Sequence, residues 1–304
     1  MSLLSNSEVI PMCLVAVVRY LTRVASAGAE DVQTIDRLLT HLNLRAREDQ
    51  EPEGGMKKRV AETCSEFLRI GLFSTTDDGK LQLSPSLPAA ARDPSTAESL
   101  LPGTVADLAL RPEGDEAFGL ALAWLLSLDP LSAPGSWDEL AKAETRPEDS
   151  PERRLSDMAK SVGIQNDTRF GQLRHWSCYL GFAWTHALQG SVRIVPDPTL
   201  HLRWRLRQIF GVSTRLTMPV FADRLGRACQ VLEGGEMREA APKLQPDRAG
   251  VFSKSTSLAL LRLDDERVIE LEARQADSDR VLLDVDGQFT PFTHIRLRLE
   301  EVNG

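Results

Sequence analysis

Residues 56–85, MKKRVAETCSEFLRIGLFSTTDDGKLQLSP, decide how the amino-terminal part of this chain is read. Val60, Cys64, Phe67 and Leu68 recur at intervals of three and four, which predicts a helix over residues 56–70 with one buried stripe. Lys57, Lys58, Arg59, Glu62, Thr63, Glu66 and Arg69 fall on its outer side. Gly71 ends the helix. Two short strand-like runs follow, joined at Asp77-Asp78-Gly79, and Asp-Gly favours a tight hairpin because Gly adopts positive φ at little steric cost.

Upstream, residues 9–25 (EVIPMCLVAVVRYLTRV) place Ile10, Leu14, Val17, Val18, Leu21 and Val24 in helical rhythm, with Gly28 as the stop. A second helix fits residues 32–42, with Ile35, Leu38, Leu39 and Leu42 on one side. Residues 44–55 are polar and end in Gly-Gly, as a loop would. Three helices followed by a hairpin predict a winged helix over residues 1–86.

Downstream, residues 85–112 are rich in Pro, Ala and Ser, so residues 87–114 are assigned as a linker or extended crossing segment. Residues 115–128 are apolar almost all round and predict a buried helix. Residues 144–153 are a polar break. Helices are predicted over 154–162 and 169–188, the latter carrying Phe170, Leu173, Trp176, Leu180 and Trp184, which gives a helical domain over 115–190.

The last third, 191–304, repeats the first architecture without its sequence. Helices fit residues 200–210, 219–228 with Pro at the opening turn, and 255–263 with Ser255 as N-cap. RVIELEAR and RVLLDVDG form an alternating hairpin through ADSD, and THIRLRLE adds a strand. The expected fold class is therefore mainly α with small β hairpins: a winged helix at the amino terminus, a central helical region and a second, more divergent winged helix at the carboxyl terminus.

The composition, 42% apolar and 26% charged over 304 residues, is that of a globular protein. The apolar run at residues 10–18 contains Pro11 and lacks a basic leader, so no signal peptide is expected. No stretch reaches the roughly 18–20 apolar residues a membrane span needs; the expected location is cytoplasmic. Cys13, Cys64, Cys178 and Cys229 are dispersed and read as reduced packing residues, with neither metal nor cofactor expected.

The net charge of −8 is unevenly spread. Residues 1–92 carry 11 Lys and Arg against 12 Asp and Glu, residues 93–160 carry 6 against 14, and residues 161–304 carry 19 against 18. The flanking parts can thus present local basic faces despite the acidic total. In a winged helix the third helix can enter the major groove while the hairpin reaches the backbone. Lys57, Lys58 and Arg59 open that helix, where a phosphate is favoured, and Arg69 and Lys80 can add contacts. Glu62 and Glu66 oppose this, so DNA contact and protein docking both stay open.

A denser basic stretch carries Arg193, Arg203, Arg205, Arg207, Arg215, Arg224 and Arg227 against only Asp197 and Asp223. Arginine throughout favours bidentate phosphate or carboxylate partners. Nucleic acid is one reading; pairing with this chain's own acidic middle, or with a partner's carboxylates, is the other. His41, His175, His186, His201 and His294 form no metal-ligand or catalytic pattern. Asp264, Asp265 and Glu266, being adjacent, read as a solvated helix end. No catalytic residue is assigned.

The segment RFGQLRHWSCYLGFAW (residues 169–184), followed by VPDPT (195–199) and preceded far upstream by the opening MSLLS, resembles the DpdG family of phage-defence proteins. These belong to bacterial clusters that insert 7-deazaguanine derivatives into their own DNA and restrict DNA lacking them. The resemblance implies a subunit of a multi-protein restriction machine, with modification chemistry and any nucleotide-driven motor in other subunits. No catalytic residues carry over. Asp197 within PDPT reads more simply as a turn residue.

Three functions follow as expectations. The first is a non-enzymatic subunit that binds double-stranded DNA or acts as an adaptor within a defence complex. The second is a kleisin-like bridge whose winged helices dock onto an ATPase, and the third is a transcriptional regulator.

Overall fold

The computed structural model describes residues 2–44, 55–188, 191–244, 248–273, 280–285 and 287–298. The interior of the polar loop read over residues 44–55, and the ADSD turn, lie outside the described residues.

Pro11 opens α1 (Pro11–Arg23), a position where a missing N–H breaks no helical bond. Leu14, Val17, Val18 and Leu21 are its buried stripe. A 3-10 turn at Ser26–Gly28 leads into β1 (Ala29–Glu30), followed by α2 (Val32–Leu44) and α3 (Gly55–Arg69). The hairpin is β2 (Phe73–Thr75) and β3 (Leu81–Leu83), turning through Gly79 at φ 78°. β3 lies between β1 and β2, antiparallel to both, with Ala29 opposite Gln82 and Phe73 opposite Leu83.

Three side-chain expectations fail in this unit, the first at Val24, which lies past the end of α1 and is exposed. Leu38 is exposed, so the buried stripe of α2 is narrower than its spacing suggested. Thr63 and Glu66, expected outside α3, are buried: Thr63 lies beside Cys13 of α1, and Glu66 is covered by Arg69, which also reaches the Gly114 carbonyl.

Residues 87–114 are not an extended linker. They hold α4 (Ala89–Arg92) and α5 (Ala97–Ala109), whose Leu101, Val105, Ala106 and Ala109 are buried. Strong helix formers and core contact outweigh Pro102, which sits inside α5 and removes one backbone donor. Asp115 then caps α6 (Glu116–Leu126) by accepting from the Phe118 N–H, and all but three residues of α6 are buried. Ser136 caps α7 (Trp137–Ala143), Ser150 caps α8 (Pro151–Ser161) and Asn166 caps α9 (Asp167–Tyr179), each accepting from the third residue on.

The helix expected to run to residue 188 stops at Tyr179. Gly181, at φ 77°, reverses the chain into β4 (Ala183–Leu188), which pairs antiparallel with β5 (Ser191–Pro196). The division drawn at residue 190 therefore falls inside a hairpin.

The last third contains α10 (Thr199–Phe210), β6 (Arg215–Thr217), α11 (Met218–Ala228), α12 (Glu236–Ala240) and α13 (Lys254–Asp265). Four strands follow: β7 (Ile269–Glu272), β8 (Val281–Val285), β9 (Gln288–Phe292) and β10 (His294–Leu297). The sheet order β6-β10-β7 matches β1-β3-β2, with the last strand central in both. The hairpin expected between RVIELEAR and RVLLDVDG is replaced: β7 pairs with β10, and β8 pairs with β9. The N-cap of α13 is Ser253, not Ser255; the buried Ser255 hydroxyl instead donates to the Leu126 carbonyl at 2.5 Å.

One cluster of buried apolar side chains extends from Leu3 to Leu297. Phe67 of α3 meets Trp176 of α9 at 5.7 Å between ring centroids, joining the first unit to the central helices. The architecture is mainly helical with small antiparallel sheets.

Candidate interaction surfaces

Lys57 and Lys58 occupy the first turn of α3, in the expected place; their side chains lie outside what is described. The other candidates of this unit meet acids of the same chain. Arg59 Nε donates to Glu8 at 3.0 Å. Arg69 donates to Glu66 at 2.5 Å and to the Gly114 carbonyl at 3.3 Å. Lys80 Nζ lies 3.6 Å from Asp78. Glu62 accepts from the Asn6 amide at 2.9 Å. The two glutamates expected to repel phosphate are thus acceptors holding the amino-terminal segment and Arg69.

The arginine-rich stretch is dispersed over several faces rather than gathered on one. Arg193 lies 3.8 Å from Glu139, and Arg203 bridges to Glu266. The buried Arg205 reaches Asp107 at 2.5 Å and the Gly103 carbonyl at 3.0 Å, tying α10 to α5. Arg215 forms a two-pronged contact with Glu272 at 3.1 and 2.8 Å. Arg224 donates to the Ile209 and Phe210 carbonyls at 3.1 and 3.0 Å, closing the end of α10. Arg227 pairs with Asp223 one turn earlier, and Arg207 is exposed on α10.

The third helix of each unit is enclosed to a different degree. α13 is packed on several sides: Ser255 bonds α6, the Thr256 hydroxyl donates to Glu233 at 2.6 Å, and Ser257 accepts from the Asp284 N–H of β8 at 3.0 Å. Only Arg262 and Asp265 of this helix are exposed. On α3 the open side includes Ala61, Ser65 and Arg69, the last of these held by Glu66.

Several residues matter more than their sequence context announced. Asp197, read as a turn residue, is buried and accepts from the Trp184 indole and the Thr199 N–H, both at 3.1 Å, while Arg262 of α13 bonds it as well. Gln172 and Trp176 donate to the Val9 carbonyl at 3.1 and 3.2 Å. Asp115 accepts from the Leu3 N–H at 2.6 Å and the Ser2 hydroxyl at 2.8 Å. Polar residues at such spots are visible in the sequence; their partners, more than a hundred residues away for Asp115, Gln172 and Trp176, are not.

The buried His201 ring stacks on Phe182 at 3.9 Å, and its Nδ1 lies 3.1 Å from the Leu180 carbonyl. Arg205 Nε faces the other ring nitrogen at 3.5 Å. A carbonyl only accepts and a guanidinium only donates, so Nδ1 carries the proton and Nε2 the lone pair. Burial first, and Arg205 second, push the pKa of His201 down to about 3. Burial also raises the Cys64 and Cys229 thiols to about 12 and Cys178 to about 11, the behaviour of packing residues rather than nucleophiles. His175 is likewise lowered by burial.

These bonds define a class: a mainly helical protein with small antiparallel hairpins, whose charged side chains largely join its own elements. The chain belongs to the DpdG-like family, whose model matches residues 1–278. That membership supports a place within the multi-protein Dpd defence and modification system. No curated protein and no solved structure matches the chain. No helix among the described residues is long and apolar enough to cross a membrane.

Proposed function

We propose that the chain is a non-enzymatic adaptor of a bacterial system that restricts DNA lacking 7-deazaguanine modification, and that it works by docking onto other proteins of that system. Residues 1–86 and the last third form two winged helices in this reading; each has a helix, a strand, further helices (two in the first, three in the last) and later strands, with the final strand central in its three-stranded sheet. The observation that carries the proposal is the character of α13: its first turn is tied to α6, Glu233 and β8, and its one partly open stripe, Lys254, Leu258, Leu261, Arg262 and Asp265, carries two leucines and an acid rather than a basic face for a DNA groove. The internal bonds of Arg193, Arg203, Arg205, Arg215, Arg224 and Arg227 support it further. DNA binding and regulation of an operator fit these arrangements less well.

A kleisin-like bridge is a narrower version of the same reading, favoured by the recurrence of one topology in the first and last thirds. The test is co-purification of the full chain with the other products of its gene cluster, with and without nuclease. Retention that survives nuclease supports docking; retention lost on nuclease treatment overturns it in favour of DNA.

A further inference from the structure

A groove of about 700 Å³ runs between α5 and α10 beside α4. Its apolar surface is provided by Leu100, Leu200 and Trp204, which are 42%, 47% and 38% exposed. Each is large, and together they form a concave patch rather than the scattered single exposures common on monomers. Ser99, Gly103 and Thr104 of α5 keep the facing wall low, and a methyl added at Gly103 would meet no atom within 4 Å. There is consequently room for another backbone to approach.

The charged side chains along this patch are mostly arginines, two of them paired with acids of the same chain. Arg203, Arg205 and Arg207 line it, against Asp107 as the single carboxylate. Arg205 is fixed beneath by Asp107 and the Gly103 carbonyl, so it shapes the wall. The Arg203 bridge to Glu266 joins two partly exposed side chains, and such surface pairs exchange partners at little cost. An apolar floor edged by arginine fits an amphipathic segment with apolar side chains at helical spacing and carboxylates beside them.

We propose that this groove docks an acidic amphipathic helix supplied by another subunit of the same defence system. The proposal rests on the adaptor reading and names the chemistry of its partner. It assigns the specificity to a surface that neither winged-helix unit supplies alone, since α5 lies between them in the chain.

The experiment uses the full chain co-expressed with the other proteins of its cluster, carrying a photo-crosslinking amino acid at position 100 or 200. A control places it at Leu131, which is 79% exposed and does not line the groove. The expected product at 100 and 200, but not at 131, is a cross-link to another subunit whose attached peptide is acidic and apolar at spacings of three and four. Arg203→Glu with Arg207→Glu should lower its yield at least tenfold, whereas Arg203→Lys with Arg207→Lys should restore most of it. Cross-links to a second copy of this chain, to nucleic acid, to a basic peptide, or equally from 131 would overturn the proposal, as would none at all. If cross-linking fails while co-purification persists, the groove assignment falls and the adaptor reading stands; if no subunit co-purifies, both fall.

Discussion

His201 shows how one buried group couples pH to stability. Its pKa lies near 3 in the folded chain and near 6.5 when unfolded. Between those values the unfolded state binds more protons, so the His201 contribution is complete above about pH 6.5 and is lost as pH falls towards 3. Urea midpoints at pH 7.5, 5.5 and 4.5 should therefore fall more steeply for the wild type than for His201→Gln; equal slopes would refute the assignment. Asp197 makes a second residue-scale prediction. Asp197→Ala leaves the Trp184 indole and the Thr199 N–H without their acceptor, while Arg262, 45% exposed, can turn to water. The expected loss is about 2–3 kcal/mol in urea unfolding, and a change below about 0.5 kcal/mol would show that the carboxylate is not a structural hub. The sequence announced neither residue, since His201 sits in an arginine-rich helix and Asp197 between prolines.

At the scale of elements, strong periodicity was readable and competing signals were not. α1, α3, α6 and α11 follow from apolar spacing and from Pro at a first turn, because those signals are local. α5 was obscured because Pro102 and neighbouring Ser and Ala resemble a linker, although burial of Leu101 and Val105 decides for helix. β4 was obscured because Trp184 continues the aromatic series of α9, and only Gly181 marks the break. A side chain there would strain the backbone and meet the His201 N at 3.0 Å and the Trp204 ring at 3.1 Å. Gly181→Ala should cost about 1–2 kcal/mol. Gly103→Ala, within α5 and open to space, should instead stabilise by up to about 1 kcal/mol. Thermal unfolding of the pair checks both signs, and stabilisation by Gly181→Ala would contradict the turn's role.

For the whole molecule, the segments that carried the family resemblance each make hydrogen bonds beyond their own element. MSLLS is held through Asp115, and Gln172 and Trp176 of RFGQLRHW hold the Val9 carbonyl, four residues beyond it. Trp184 of GFAW and Asp197 of VPDPT share a hydrogen bond. The segments themselves were legible in the sequence, yet their pairings required the folded chain. Asp115→Ala should release residues 2–5, raising their amide exchange and lowering stability by about 1–3 kcal/mol, since the buried Leu3 and Phe118 N–H groups lose their acceptor; unchanged exchange over those residues would contradict it. The arginine-rich stretch was legible as charge but not as surface, because spacing along a chain does not reveal which carboxylates fold back onto it.

On the docking reading proposed above, these arginines mainly serve the chain's own architecture and its partners are proteins. Fluorescence anisotropy of a labelled DNA duplex, titrated with the full chain from 50 to 200 mM salt, tests it most directly. No saturable binding is expected at the lowest salt. Saturable binding whose logarithm falls linearly with that of the salt concentration, with a slope reduced by Arg203→Glu and Arg207→Glu, would contradict it.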